Sequence, residues 1–286
     1  MTRLAVSNIA WPADEWEAAY ACLAAHSVRG LEVAPSLAFW QEPDPFTPSG
    51  DAVRAFHARV AAHGLELVSM QSLLYGVLGA SLFGDAEGRR AFVQGLLRAA
   101  SFAGRVGIPN MVLGAPAARS IPDGMGRADA EAVAADVFRE IGDACVRAGT
   151  LLALEPNDAA YGTNFLVTVR EAAAFVRAVG HPAVTLNFDL GTVRMNGQDG
   201  IAGELFGEVA DVTSHAHLSD AHLAPVGPAL GSATSAMAVQ GVRAGYGGWY
   251  SIEMRAVPGD PVRAVGAAVE ASLAALAVGG AAGSGR

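Results

Sequence analysis

No lysine occurs in this chain of 286 residues, and all 19 basic side chains are arginine. That absence removes several chemistries at once. A lysine Schiff base with a carbonyl substrate, a pyridoxal-phosphate aldimine and a P-loop lysine all need the missing amine. Cysteine is nearly absent as well. Cys22 and Cys145 lie far apart in Ala-rich, helix-like stretches and read as small buried hydrophobes, which fits a reducing compartment. Charge is scarce, 16% of residues against 52% hydrophobic, a balance that excludes a disordered chain. The charge present leans acidic, 28 against 19, and a general nucleic-acid binder needs the opposite. No run reaches the ~18 consecutive apolar residues of a spanning helix. The mean hydropathy of +0.31 instead reflects heavy use of Ala, Val, Leu and Gly. The start, MTRLAVSNIAWPADEW, reaches Pro12 and Asp14 too soon for a signal-peptide apolar region. The expectation is a cytoplasmic, soluble protein without a nucleic-acid or membrane partner.

What is present is an alternation. Short apolar runs, strand-like, occupy Leu4–Ile9, Leu31–Ala34, Leu65–Gln71, Asn110–Gly114, Leu151–Glu155, Val184–Asp189, Val212–His217 and Trp249–Met254. Between them lie helix-like stretches near 14–26, 51–63, 86–106, 128–148, 168–179, 201–208, 233–244 and 261–277. Asp14 with Glu17, and Thr168 with Glu171, have the capping-box spacing. Glycines precede several strands, as in RAG-TLLAL and YGG-WYSI. Strict alternation implies parallel strands with right-handed crossovers. Eight units of about 36 residues favour a closed (β/α)8 barrel, α/β in class, over an open sheet. No GxGxxG follows the first strand, so a dinucleotide site loses its main support. One domain over 1–278 is expected, with 279–286, ending GGAAGSGR, as a flexible tail.

Active sites of such barrels sit at the carboxyl ends of the strands. There the fifth strand presents Glu155, the sixth Asp189, the seventh His217 and the eighth Glu253. The steps between them, 34, 28 and 36 residues, each approximate one βα unit, so four consecutive strands aim one polar group each at one level. Three carboxylates without a cation would repel and leave at least one protonated. One divalent ion resolves that conflict, and an oxygen-rich set suits Mn²⁺ first, with Mg²⁺ or Co²⁺ as alternatives. A lone carboxylate at a strand end is ordinarily a helix cap, and a lone strand histidine ordinarily a core residue. Four at consecutive strand ends are harder to explain that way. His215 and His217 share one face of their strand. His217 is the expected ligand, and His215, deeper, is expected to hydrogen-bond a ligating carboxylate or to help hold substrate. Asn8, Trp11, Gln71, Asn157, Tyr161, His222 and Arg255 complete the expected substrate-binding rim, with Glu32 and Tyr75 as softer candidates.

The segments EPND, FDLGTVRMNG, HAHLSD and GYGGWYSIEM at strands five to eight resemble the sugar phosphate isomerase/epimerase group, the xylose isomerase-like superfamily of TIM barrels. The resemblance implies the same four ligands. It departs from the group's epimerases at Thr192 and Tyr161, where they usually carry His and Glu, and no Arg follows strand seven. It implies an isomerase or epimerase acting on a small polyhydroxylated substrate through a metal-stabilised enediolate, with Glu155 and Glu253 as acid/base pair. A dehydratase and an inert sugar- or metal-binding barrel are the alternatives, and a homo-oligomer is compatible with either.

Overall fold

In the computed structural model, which describes residues 3–283, the expected alternation closes on itself. The strands are β1 Leu4–Ser7, β2 Gly30–Val33, β3 Glu66–Met70, β4 Asn110–Leu113, β5 Leu151–Leu154, β6 Val184–Asp189, β7 Thr213–Ser219 and β8 Trp249–Glu253. All neighbouring pairs are parallel, and β8 pairs with β1 to complete a closed barrel in chain order. The helices are α1 Trp16–Ala25, α2 Pro35–Ala38, α3 Gly50–Ala62, α4 Ala86–Val106, α5 Arg127–Ala148, α6 Val169–Val179, α7 Leu190–Met195, α8 Ala202–Val209, α9 Gly231–Ala244 and α10 Pro261–Gly283. All eight expected helices form, and α2 and α7 are additional. Four and six residues are too short to show a 3.6-residue period.

Local chemistry sets the helix ends. Thr168 caps α6 by accepting from the Glu171 N–H at 3.2 Å, while the Glu171 carboxylate takes the N–H groups of Leu166 and Val167. Asp14, expected to cap α1, does not. It lies inside a 3-10 turn, Ala13–Glu15, and α1 begins after that turn without a side-chain cap. Along α4, Phe92, Leu96, Ala99, Ala103 and Val106 recur at helical spacing and are buried against the barrel. Cys145 is buried as expected, but Cys22 only partly.

The window Pro261–Val278 of α10 is long and apolar enough to cross a membrane by length and composition, and 44% of it is buried. Val265, Ala268, Val269 and Leu276 are its inward residues. The expected tail begins within α10, whose backbone runs to Gly283, and residues 284–286 lie outside the described ones.

The barrel interior is polar toward one end. Ser214 on β7 donates to the Asn110 side chain on β4, and Asn110 donates to Ser69 on β3. Strands β4 and β7 are not neighbours, so the first bond crosses the interior. Register shifts occur opposite Leu31/Glu32, where β3 carries the extra residue Val68, and opposite Leu186/Asn187, where β7 carries the extra residue Ser214. Each extra residue immediately precedes a buried polar one, Ser69 and His215, a position where bulges re-aim side chains.

Candidate functional site

The four strand-end residues converge. Their ligand atoms all lie within 4.8 Å of one another, and each side chain is buried. They do not come from one level of the ladder, however. Asp189 is opposite His217, whereas Glu253 is opposite Ser219, two residues farther along β7. Strand tilt in a closed barrel brings these rungs together. β7 also runs two residues beyond its expected end, to Ser219, which donates to Asp189. The other Asp189 oxygen accepts from the Thr192 N–H at 2.6 Å and so caps α7. Glu155 stands one residue past β5, with Asn187 donating to its Oε1 at 2.8 Å and Asn157 to its Oε2 at 3.0 Å.

His217 Nδ1 lies 2.9 Å from Glu155 and 3.2 Å from Glu253, yet it makes no hydrogen bond of acceptable geometry. Its Nε2 is 3.0 Å from Glu32, on the far side of the barrel. Glu32 is fully buried, and it also meets His215 Nε2 at 2.7 Å and the Gln71 amide at 2.9 Å. With Nε2–H donated to Glu32, neutral His217 turns an Nδ1 lone pair toward two carboxylates. That arrangement calls for a proton or a cation.

The electrostatics agree. Burial pushes Glu253 up to about 7, and the charges of Glu155 and Asp189 add to it against the opposing pull of His217. Asp189 is raised by burial and then by Glu155. Burial also opposes ionisation of Glu155, but the close approach and charge of His217, with the hydrogen bond from Asn157, hold it below the ordinary carboxylate range. For His217, burial disfavours the imidazolium, and the charges of Glu253 and Glu32 overcome that and raise it well above its ordinary value. Burial lowers His215. A divalent ion fits this donor set: three buried carboxylates and an orphaned imidazole nitrogen, the latter oriented from behind by Glu32.

A cavity of about 220 Å³ opens over Glu155, Asp189 and Glu253, with His217 buried beneath them. Of the expected rim, Gln71, Asn157 and Tyr161 line it. Asn8 does not: its amide clamps the Ala34 backbone, accepting at 2.6 Å and donating at 3.3 Å, and so ties the end of β1 to that of β2. Trp11 is buried beside Tyr20, away from the cavity. His215 is buried within the barrel, and its bond goes to Glu32 rather than to any of the four clustered residues. His222 and Arg255 are exposed and outside the lining, although the His222 ring packs on Tyr161. Tyr75 is exposed.

Two residues central to the site were not singled out by spacing. Glu32 could have been found by parity, as an acid within the apolar run GLEV. Arg119 carried no such signal. It is fully buried and donates to the Glu155 carbonyl at 2.9 Å and to Asn157 Oδ1 at 2.7 Å, and burial lowers its guanidinium to about 10. Gly114 leaves room for the site: a Cβ there would stand 2.7 Å from Glu155 Oε2.

A family model described as xylose isomerase-like TIM barrel matches residues 22–276. No curated protein matches the chain in sequence. Among solved structures, L-ribulose 3-epimerase superposes with a TM-score of 0.77 at 16% identity, covering 98% of this chain and 96% of its own. D-psicose 3-epimerase from Clostridium cellulolyticum H10, with D-tagatose, gives 0.74 at 15% identity over 96% and 99%. The 3-keto-D-glucoside 4-epimerase of E. coli gives 0.72 at 16% identity over 94% and 98%. At these identities the likeness is one of fold.

Proposed function

The chain belongs to the xylose isomerase-like TIM-barrel family, and on that premise we propose that it is an isomerase or epimerase of a sugar or sugar derivative, working with one divalent ion. The observation that carries this reading is the cluster of Glu155, Asp189 and Glu253 around the orphaned Nδ1 of His217, at the floor of a cavity. Those four residues would hold the ion, with Mn²⁺ the first candidate. When bound, it would supply positive charge to the carbonyl and adjacent hydroxyl oxygens of the substrate as negative charge develops there.

The proton chemistry belongs to the two glutamates. Glu155 is kept ionised, and Asn157 and Asn187 fix its plane, so it suits the base that removes a proton from the carbon beside the carbonyl. The electron pair of that C–H bond moves into the enediolate. Glu253 sits near neutrality and suits the acid that returns a proton from the other side. Two carboxylates whose environments push them apart make an acid/base pair. Arg119 and Asn157 position Glu155, and Glu32 positions His217.

The test is incubation of Mn²⁺-loaded protein with D-psicose, D-tagatose, D-fructose and L-ribulose in deuterated buffer. Deuterium uptake without loss of water is expected. Loss of water would mark a dehydratase, and ligand binding without exchange a binding protein. Glu155→Gln and Glu253→Gln should each lose about 10²-fold or more in turnover while staying folded by circular dichroism. Near-wild-type rates in both would move the acid/base chemistry elsewhere.

A further inference from the structure

What the cavity admits depends on what its walls have left to offer, and this inference rests on the function proposed above. None of the side chains lining it is Arg or His, and the chain has no Lys. Its charged walls are all acidic. Apart from the exposed Ser72, its neutral polar walls are already committed to the protein. Thr192 donates to the Pro156 carbonyl at 2.9 Å, and Ser219 to Asp189. Asn157 bridges Arg119 and Glu155, and the Gln71 amide donates to both Ser7 and Glu32. Val112, Ala115 and Pro116, at and just past the end of β4, line it with side chains that form no hydrogen bond, and Leu223 lines it from the loop after β7.

Tyr161 stands apart from this pattern. Its hydroxyl accepts the His222 backbone N–H at 3.0 Å, which leaves its own O–H free to donate. It lines the cavity within range of the charges of Asp189 and Glu253 and, from outside the lining, of Arg255.

We propose that the substrate is an uncharged hydroxy-carbonyl compound with a hydroxyl-poor end, seated against Val112, Ala115 and Pro116, and oriented by a hydrogen bond from Tyr161. Away from the ion that Glu155, Asp189 and Glu253 would hold, a phosphate or carboxylate sheds water and meets acidic Asp220 and apolar side chains, with no cation on the walls to replace it. A hydroxyl pressed on the apolar wall loses its water without gaining a partner. A deoxy carbon there loses nothing. The cavity, about 220 Å³, is also below the ~300 Å³ of ordinary drug-sized sites, so the molecule is small. The alternative is Arg255, exposed outside the lining with its backbone N–H on the Leu223 carbonyl, turning inward to hold an anion.

The experiment uses the full Mn²⁺-loaded chain and the ketohexoses of the panel above, each with its 6-deoxy and 6-phosphate counterpart. Calorimetry reads binding, and deuterium uptake reads turnover. The 6-deoxy compounds should bind at least as tightly as their parents and the 6-phosphates at least about tenfold more weakly, an order that Arg255→Ala leaves unchanged. Tyr161→Phe should raise Kd and KM about tenfold, the worth of one hydrogen bond, with kcat within about twofold and Mn²⁺ affinity unchanged. Tighter binding of the 6-phosphates, lost in Arg255→Ala, overturns the uncharged substrate. A preference of tenfold or more for the parents over the 6-deoxy forms overturns the apolar seat, and an unchanged Kd in Tyr161→Phe overturns the orienting bond. Binding of none of these compounds overturns the whole proposal. Binding without deuterium uptake would sink the isomerase reading alone, because the calorimetric order still decides this one.

Discussion

Glu32 and Glu253 are both buried acids, yet the two halves of the barrel treat them in opposite ways. Glu32, from β2, is opposed by burial but held far below the ordinary carboxylate range by His217 and His215. Glu253, from β8, is pushed up to about 7. The difference lies in their neighbours. Glu32 accepts from both histidines and Gln71, so its charge is met by donors on several sides. Glu253 shares a single imidazole with Glu155 and stands among like charges. Strands β1 to β4 thus supply a buttress that is complete within the protein, and β5 to β8 supply an excess of negative charge that a cation would complete.

The sharpest break in that contrast removes one ligand on the incomplete side. Asp189→Ala should abolish binding of the one divalent ion expected per chain, as should His217→Ala, read by metal analysis after gel filtration. Wild-type metal content in either variant would mean that the cluster is not the metal site.

Breaking the buttress should cost less. Glu32→Gln keeps the shape but replaces an acceptor oxygen with an amide donor that faces imidazole N–H groups. Outer-sphere partners of metal-bound histidine are worth about 10–100-fold in affinity. That loss in Mn²⁺ affinity is expected by calorimetry. His215→Asn, one step farther from Nδ1, should lose only severalfold. Equal losses at His215 and His217 would reverse the roles of the two histidines.

Metal-free stability should follow pH in a way that tells the two sides apart. Glu155 and Glu32, lowered, contribute stability present above about 4.5 and lost as pH falls through their folded values. Glu253, raised to about 7, holds a proton in the folded state that the unfolded chain has released, so stability falls as pH rises from about 4.5 to about 7, and Asp189, raised from 3.8, acts in the same direction. His217, raised, contributes stability present below about 6.5 and lost above it. The Tm of the chelated protein should therefore peak in mildly acid buffer and decline toward alkaline pH, and Mn²⁺ should remove the alkaline decline. A Tm that rises steadily to pH 8 without metal would contradict the excess-charge side of the comparison.

This division also explains how much could be read from the sequence. Eight strands and the eight long helices were legible, because hydrophobic period and helix-ending glycines are local. Glu155, Asp189, His217 and Glu253 were legible as a set, because a barrel repeats its strand ends at near-constant spacing. Glu32 was less so: its partners on β7 lie across the interior, 183 and 185 residues away. Arg119 gave no sign, since nothing in PAAR distinguishes a wholly buried arginine from a solvated one. Asn8 and Trp11 misled for the same reason. Position at a strand end is local, but whether a side chain turns to the cavity or to a neighbouring backbone is decided by packing.

The smallest effect expected separates room for the site from backbone conformation. At Gly114 an added Cβ would stand 2.7 Å from Glu155 Oε2 and 3.5 Å from Asn157 Oδ1, so the carboxylate must shift. Gly149 is the reverse case: it caps α5 at φ +71° with open space around any Cβ. Gly149→Ala should therefore cost about 1 kcal/mol of stability, through the left-handed backbone alone, and leave Mn²⁺ affinity untouched. Gly114→Ala should cost little stability and weaken Mn²⁺ severalfold, because it displaces a ligand that Asn157 and Asn187 hold in place. Thermal melts and Mn²⁺ titrations of both variants provide the check. If Gly114→Ala bound Mn²⁺ as tightly as the wild type, the position of Glu155 would be looser than its two hydrogen bonds imply, and its plane would have to be set by the ion itself.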